Sequence, residues 1–582
     1  MSDTPATDAP RPASWGRDLW LLLLVFGALY GLQLGNAPLA NPDESRYAEI
    51  PREMVATGDW VTPRLNGVVY FEKPPLVYWM GAVLQEIFGT GEWAMRAIPA
   101  GFALGGILLA YGAGRRLYGR AAGLAAGVVL GASLLFFAFS RILSLDMAVS
   151  TLMTATLFCF ILGVREKPSA ARRWCFYGLY ASAALATLTK GLIGFLLTGA
   201  VMFFWLLLFN QWRRLRPLYL PTGLLLFLAI ALPWHLLAHA RNPQWASFYF
   251  IHEHWERFTT TAHARSEPWW FFLPIILLGL FPWTGFLWPA LRERLGGGPF
   301  DKLTAGPFGG LKASWAARKE NADAWFLVFW AAFILLFFSK SQSKLIPYIL
   351  PVFPPLAVLI GAWFAELDET RATGRLRWGM RFFGFFSGLL GAALFVGAFR
   401  PGIIRPESIR LAVQDNAIVG AVFLITGGVA AAWFARHRGV RSAFLAMTVT
   451  AVGFYGAVAA GQEEFARIST KELAEFAGPK IKPGDRVYHY HGFFHDFVYY
   501  TGREVGTVAW PDELEIDIDP VAPTSGRFID EAEFRRQWAG STRIWMVALN
   551  DLPAVKQLLE DPTFQYRLRV DTRGHLLLSN QP

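Results

Sequence analysis

The chain has 582 residues, 54% of them hydrophobic, with 24 Trp and 49 Phe, a composition too apolar and aromatic for an ordinary soluble enzyme. Its formal net charge is +10, but the basic residues are dispersed over short loops rather than gathered into one domain, which argues against nucleic-acid binding. Only Cys159 and Cys175 are present, both within or beside apolar stretches, so neither a disulfide framework nor a Cys-based zinc site is expected.

Residues 1–18 are polar and Pro/Ala-rich and read as a cytoplasmic tail. Leu19–Leu34 is apolar, and the Gly35-Asn36-Ala37-Pro38-Leu39 that follows is no small-x-small cleavage site, so this is a retained first span rather than a signal peptide. Apolar segments of ~17–25 residues, long enough to cross a ~30 Å hydrocarbon core, recur as far as residue 461, and about thirteen are expected. After the first they cover Ile98–Leu117, Ala121–Ser140, Met147–Val164, Phe176–Leu188, Leu192–Phe209, Leu218–Ala238, Trp269–Leu287, Ala324–Phe338, Leu345–Phe364, Phe382–Phe399, Ala417–Phe434 and Phe444–Ala460. Residues 19–461 therefore form the transmembrane domain of an α-helical polytopic membrane protein.

Alternate connections are strongly basic: Arg115/Arg116/Arg120, Arg165/Lys167/Arg172/Arg173, Arg213/Arg214/Arg216, Arg371/Arg375/Arg377 and Arg436/Arg438/Arg441. The positive-inside rule makes these cytoplasmic, which puts the loops 40–96 and 241–268 and the segment 462–582 outside.

The first outer loop carries two charged patches, Asn41-Pro42-Asp43-Glu44-Ser45-Arg46-Tyr47 and Phe71-Glu72-Lys73-Pro74-Pro75. Between them Tyr47, Ile50, Pro51, Met54 and Val55 share one helical face, with Ser45, Arg46, Glu49, Arg52 and Glu53 on the other. The pattern predicts an amphipathic juxtamembrane helix lying on the membrane, capped by Asn41, with Pro42 in its first turn, bent at Pro51 and stopped by Gly58. Asp43 then sits where the helix dipole favours its ionised form. Leu76–Phe88, between Pro74-Pro75 and Gly89, is short for a crossing and reads as a second juxtamembrane helix.

The loop after Arg241 contains His252, His254, Arg257, His263 and Arg265 before Trp269-Trp270, and a later outer turn runs from Ser339 through Lys340 and Lys344 to Tyr348. The Trp pair and Tyr348 also suit an interfacial aromatic belt. From about Gln462 the composition becomes that of a small soluble α/β domain. Strands are expected at Arg486–His491, Glu504–Ala509, Arg543–Val547 and His575–Ser579, with helices near Ile468–Phe476, Asp530–Trp538 and Leu552–Glu560.

Outer loops normally hold few cations. Here Arg46, Lys73, Arg141, Lys190, Arg257, Arg265, Lys340 and Lys344 map to the outer side, interleaved with Asp43, Glu44, Glu72 and Asp146. This pattern reads as an anion site that also holds carboxylates. The simplest anion at a membrane surface is a phosphate-linked lipid, whose phosphate Lys and Arg bind while a groove between spans takes its chain. A carboxylate beside them can orient or deprotonate a second reactant. In the plain alternative each cation binds lipid headgroups or a neighbouring carboxylate, most readily Lys340 and Lys344 at span ends. For Asp43 and Lys73, on short proline-framed surface helices, packing offers no reason.

These residues also match a family. Asp43-Glu44-x-Arg46-Tyr47, Gly58-Asp59-Trp60, Asn66-Gly67, Tyr70-Phe71-Glu72-Lys73-Pro74-Pro75-Leu76 and Trp79 closely resemble the first outer loop of bacterial lipid A 4-amino-4-deoxy-L-arabinose transferases. These belong to the protein-mannosyltransferase-like superfamily with the membrane glycosyltransferase C fold. The likeness continues through Arg141 and Asp146, Leu188-Thr189-Lys190-Gly191, His252 to Arg257, Arg265, and Ser343-Lys344-Leu345 to Tyr348, and is weak after residue 461.

The resemblance implies a bacterial inner-membrane enzyme, monomeric and surrounded by membrane lipids, with its active site on the periplasmic face. It would move 4-amino-4-deoxy-L-arabinose from undecaprenyl phosphate to a lipid A phosphate, conferring resistance to polymyxin. By carry-over Asp43 is the catalytic carboxylate and Asp146 a second one, while Arg46, Lys73, Lys190, Arg257 and Tyr348 contact the donor phosphate and headgroup. Glu44, Tyr47, Glu72, His252 and Arg265 support them. No cofactor is required; a divalent metal stays open, with Glu72 and His252 as its first candidates, although no adjacent ligand motif such as His-Glu-x-x-His occurs.

The leaving group is a phosphate monoester that needs no general acid, so cations would stabilise its growing charge during in-line, inverting attack. An anionic lipid A phosphate needs no base, whereas a sugar or protein hydroxyl would make Asp43 take a proton. A related transferase acting on a protein or glycan hydroxyl therefore remains as an alternative. A lipid transporter would instead place charges at midplane in repeated, broken helices.

Overall fold

In a bilayer every backbone N–H and C=O must be satisfied inside the protein, and the apolar stretches of this chain accordingly fold as helices. The computed structural model describes residues 15–249, 267–295, 321–367, 372–400, 407–465, 469–510, 514, 519 and 526–582. The elements of the first half are α1 (Trp15–Gly31), α2 (Asp43–Thr57), β1 (Arg64–Leu65), β2 (Val68–Val69), α3 (Leu76–Phe88), α4 (Glu92–Tyr118), α5 (Arg120–Gly131), α6 (Leu134–Ser140), α7 (Leu145–Arg165), α8 (Ala170–Lys190), α9 (Ile193–Phe209) and α10 (Leu220–Arg241).

Among the described residues, 8 helices are long and apolar enough to cross a membrane, or up to 10 if each of two bent pairs is one span. That measure does not confirm the expected count of about thirteen. α1 and α9 have only 17 residues each, and α8 carries Arg172 and Arg173 close to its start.

Two of the expected spans, Ala121–Ser140 and Trp269–Leu287, fall on bent pairs. α5 and α6 meet at 63°, and the helices Phe272–Gly279 and Thr284–Arg294 meet at 100°. The two breaks face each other and satisfy each other's backbone. Leu134 N donates to Phe281 O (3.1 Å), and the buried Tyr455 hydroxyl lies 3.1 Å from Ala132 O and 2.9 Å from Phe281 O. Tyr30 donates its hydroxyl to Gly131 O (2.9 Å). Irregular backbone is tolerated at membrane depth because protein covers it.

Two cations read as topology signals also have structural partners. Asp18, buried in the first turn of α1, accepts a fork from Arg120 (2.8 and 2.6 Å) and a bond from Arg115 (3.2 Å).

The first outer loop contains both expected short helices, with Gly58 ending α2 in the left-handed region (φ 70°). Its cap differs from expectation: Pro42 occupies the N-cap position without a side-chain bond, and Asn41 instead accepts from Ser45 Oγ (2.9 Å) and donates to Asp496 (2.5 Å). Between the helices lies an antiparallel β1–β2 hairpin that the sequence reading passed over. Its turn is Asn66-Gly67, with φ of 57° and 72°, the dipeptide that a two-residue hairpin favours. At Gly81 a Cβ would come within 2.8 Å of Pro51, so a glycine permits the close α2–α3 approach.

The C-terminal segment forms a six-stranded sheet of order β5-β4-β3-β6-β8-β7, from β3 (Arg486–Tyr490), β4 (Gly506–Val508), β5 (Phe528–Ile529), β6 (Ile544–Leu549), β7 (Arg567–Asp571) and β8 (His575–Ser579). β5, β4, β3 and β6 are parallel, while β8 and β7 run antiparallel. Side chains alternate between faces. Tyr488, Tyr490, Met546 and Leu578 pack with Phe534 and Leu558 of the outer helices. Val487, Trp545, Val547 and Leu577 share a core with Phe497, Val498, Ile50, Met54, Leu65 and Tyr78.

That shared core gives α2 a protein neighbour that the reading of a juxtamembrane helix did not include. Ser45, Glu49 and Glu53 are buried, because the C-terminal domain covers them. Glu49 pairs with Arg52 (2.6 and 2.7 Å), and Glu53 accepts from Gly67 N (3.0 Å). Burial, then the neighbouring Glu49, push the Glu53 carboxyl well above its ordinary range, against the pull of Gly67 N–H and Arg52.

Candidate functional site

Asp43 is the first residue of α2, 65% exposed, and its carboxylate accepts from Arg46 one turn later (2.5 Å). Helical phase turns its neighbour the other way. Glu44 is buried, accepting two bonds from Arg96 (2.9 and 2.7 Å) and one each from Ala40 N and Leu143 N (2.9 Å each). Arg96 donates its remaining N–H groups to the carbonyls of Leu34, Ala37 and Pro38 (3.2, 2.6 and 2.9 Å). Glu44 is thus an internal pin between α2, α4 and the chain leading into α7. Sequence reasoning missed Arg96, although an Arg near the start of an apolar span needs a buried partner.

The pin leads to the second carboxylate. Ser144 N-caps α7 and accepts from Asp146 N (3.4 Å), and Asp146 is hydrogen-bonded to Lys190 at the C-terminus of α8. Lys190 Nζ in turn stands 4.8 Å from the Tyr348 ring centroid. Tyr348 is half-buried beneath this cation and against Phe338.

A third charged pair comes from the turn before α3, where Lys73 Nζ donates to Glu72 O (2.8 Å) and lies 3.5 Å from the Glu72 carboxylate. Lys73 is 12% and Glu72 28% exposed, so both are accessible from one side. Tyr47, stacked on Tyr78 (6.3 Å) and under the Arg46 guanidinium (5.5 Å), joins the pairs. Burial raises its phenol above the ordinary value, Arg46 opposes the rise, and Asp43, Glu72 and Asp146 add to it. All three carboxylates therefore act on one hydroxyl. At Tyr70, burial and Glu72 raise the phenol while Arg46 opposes them.

Other expected cations have different places. Arg141 is buried, donating to Tyr30 O (3.0 Å), Gln33 O (3.5 Å) and the Gln462 side chain (3.1 Å), so its hydrogen bonds tie chain segments together. Lys344 is buried as well, donating to Glu267 O and Ser341 O (2.7 Å each), and Lys340 is exposed at its helix end. His252, Arg257 and Arg265 lie outside the described residues. Among the described residues no group of three or more His, Cys, Asp or Glu is gathered as a metal site would need.

Chemically the site offers three carboxylates, each beside a cation, around a tyrosine pair. All lie at the same end of the helices: along α4 from Arg96 to Arg115, and along α7 from Asp146 to Arg165, the helix rises ~29 Å, so the basic connections lie at the far end.

The chain is 30% identical over 560 residues to the undecaprenyl phosphate-α-4-amino-4-deoxy-L-arabinose arabinosyl transferase of Pectobacterium atrosepticum, covering 91% of each chain. The enzyme of the same description from Pectobacterium carotovorum is 32% identical over 418 residues, 70% of each chain. The chain belongs to this arabinosyl transferase family. Its fold matches that of ArnT from Cupriavidus metallidurans bound to undecaprenyl phosphate, with a TM-score of 0.82 at 30% identity over 98% of this chain and 99% of that one. Residues 72–236 also match the dolichyl-phosphate-mannose-protein mannosyltransferase family. The fold expected from the first-loop motifs, a glycosyltransferase C membrane domain with a small α/β domain behind it, is therefore the fold of this arabinosyl transferase family.

Proposed function

We propose that this protein transfers 4-amino-4-deoxy-L-arabinose from undecaprenyl phosphate to a phosphate of lipid A at the periplasmic face of the bacterial inner membrane. The observation that carries the reading is the convergence of Asp43 with Arg46, Glu72 with Lys73 and Asp146 with Lys190 around Tyr47, in a chain whose whole length matches ArnT bound to undecaprenyl phosphate. The basic connections at the opposite helix ends support the periplasmic assignment.

In this mechanism Lys73 and Arg46, with Lys190 behind them, bind the donor phosphate and stabilise the charge growing on it. An acceptor phosphate oxygen attacks the anomeric carbon in line. The bond from that carbon to the donor phosphate oxygen breaks, and the departing phosphate keeps the electron pair. Asp43, the most exposed of the paired carboxylates, positions the acceptor and balances positive charge on the sugar. Glu72 orients the aminosugar cation, and Tyr348 packs beside the headgroup.

The match of residues 72–236 to protein mannosyltransferases supports a second reading with a hydroxyl acceptor, in which Asp43 takes a proton. Mass spectrometry of lipid A and of envelope proteins, with and without the gene, separates the two. Pentosyl-modified lipid A that disappears with the gene is expected, and its persistence overturns the proposal. Asp43→Asn should abolish transfer in a folded protein, and an active variant removes Asp43 from the reaction.

A further inference from the structure

We propose that Asp496, in the C-terminal domain, is a positioning residue for the transfer site, holding the turn that presents Asp43 through Asn41. This rests on the reading of Asp43 as the reacting carboxylate.

Asp496 is fully buried, and a buried carboxylate is tolerable only where donors surround it. Its Oδ2 accepts from Ser469 Oγ (2.8 Å) and Thr470 N (2.6 Å), while its Oδ1 accepts from Phe497 N (3.0 Å) and from Asn41 Nδ2 (2.5 Å). The first three bonds close within the C-terminal domain. The fourth crosses 455 residues of sequence to the first outer loop. Asn41 passes it on, because its Oδ1 accepts from Ser45 Oγ (2.9 Å) in the first turn of α2. Asp43 lies between Asn41 and Ser45, where the N-cap residue Pro42 makes no side-chain bond and Glu44 holds Ala40 N (2.9 Å) from the inner side.

The surrounding contacts show that this bond is not what docks the domain. Asn66 exchanges two hydrogen bonds with the backbone of Val505 (2.9 and 2.8 Å). Tyr499 donates to Thr90 O (2.9 Å), Tyr500 receives Leu39 N (2.9 Å), and Lys471 pairs with Glu92 (2.6 Å). The core shared by Ile50, Met54, Phe497 and Val498 adds to these. Loss of the Asn41–Asp496 bond alone leaves the domain in place and loosens the turn that carries Asp43. Misplacement of a reacting group by ~1 Å lowers turnover about a hundred-fold.

The test uses the full-length protein in detergent with the lipid-linked aminoarabinose donor and lipid A. Asn41→Ala removes the donor to Asp496, and Asn41→Asp sets two carboxylates against each other. Asn41→Asp combined with Asp496→Asn restores a donor–acceptor contact between the two side chains and removes the carboxylate repulsion, at the cost of the Phe497 N bond to Oδ1. Asn41→Ala should lose about a hundred-fold in kcat with an unchanged KM for the donor and a nearly unchanged unfolding temperature. Asn41→Asp should lose both kcat and thermal stability because it opposes two carboxylates, and the exchanged pair should recover part of what Asn41→Asp loses. Asn41→Ala with parental kcat, Asn41→Ala whose loss of kcat tracks a loss of folded protein, or an exchanged pair no faster than Asn41→Asp each overturn the proposal. Asp43→Asn separates the two levels. If it is active, the reading of Asp43 fails; if it is inactive while Asn41→Ala keeps parental kcat, only the role of Asp496 fails.

Discussion

Replacing Arg96 with Leu should destabilise the protein and silence it together. Arg96 and Glu44 are almost fully enclosed, with side-chain exposures of 3% and 5%. Removal of the guanidinium takes two charge-assisted bonds from Glu44 and leaves the carbonyls of Leu34, Ala37 and Pro38 without their donor. Glu44 keeps only Ala40 N and Leu143 N. Breaking a buried pair from one side costs about 3–5 kcal/mol, roughly a third of the ~5–15 kcal/mol that stabilises a typical domain. Glu44→Gln keeps the shape and one acceptor and should cost less, about 1–3 kcal/mol.

Thermal or denaturant unfolding of the purified protein in one detergent, for the parent, each single variant and the Glu44→Leu/Arg96→Leu pair, measures both terms. Residues in direct contact couple by about 0.5–3 kcal/mol, so the double variant should fall short of the summed single losses. Its activity should stay low all the same, because the tie from α2 to Leu143 has gone. Parental stability of Arg96→Leu, or a fully active double variant, refutes the reasoning.

Lys73→Ala should chiefly raise KM for the lipid-phosphate donor, and an unchanged donor KM in steady-state assays argues against a phosphate contact. Glu53→Gln tests the buried carboxyl: burial and Glu49 raise its folded pKa, so the neutral form stabilises the fold below the ordinary carboxylate pKa. That contribution is lost as pH rises through the raised value. The unfolding temperature of the parent should therefore fall with rising pH more steeply than that of the variant, and parallel profiles contradict the assignment. Tyr455→Phe leaves the carbonyls at the two helix breaks without a hydroxyl and should cost about 1–3 kcal/mol in the same unfolding assay; no change means that the breaks are held by other contacts.

Much of the membrane architecture was legible because hydrophobic length is a one-dimensional signal. The apolar stretches fall on helices, α3 spans Leu76–Phe88 as expected, and the strand His575–Ser579 is found at its expected bounds. What escaped depends on contacts distant in sequence. A break at Ala132 is stable only because Phe281 and Tyr455 meet it, and nothing within residues 121–140 announces those partners. β5 and β7, short or largely exposed, lack the buried alternation that marks a strand. The hairpin at Asn66-Gly67 was missed although its turn chemistry was visible, because its strands are only two residues long.

The site shows the same division at the level of single residues. Composition placed Asp43, Glu44, Arg46, Glu72 and Lys73 in one loop, and the structure does gather Asp43, Arg46, Glu72 and Lys73 around Tyr47. It could not assign Glu44. Adjacent residues on a helix differ by about 100° in direction, so whether Glu44 meets solvent or Arg96 depends on what covers the helix. Sequence reading placed α2 on the membrane as an amphipathic helix and assigned no protein neighbour to its polar face. The C-terminal domain packs against it, and the charges split by phase: Asp43 points out toward the open side, Glu44 is held inward by Arg96, and Glu49 and Glu53 are held within the loop by Arg52 and Gly67 N. The C-terminal domain, matched along with the rest of the chain by the arabinosyl transferase fold, thus supplies one wall of the loop, while Arg96 on α4 turns Glu44 inward and leaves Asp43 as the exposed carboxylate.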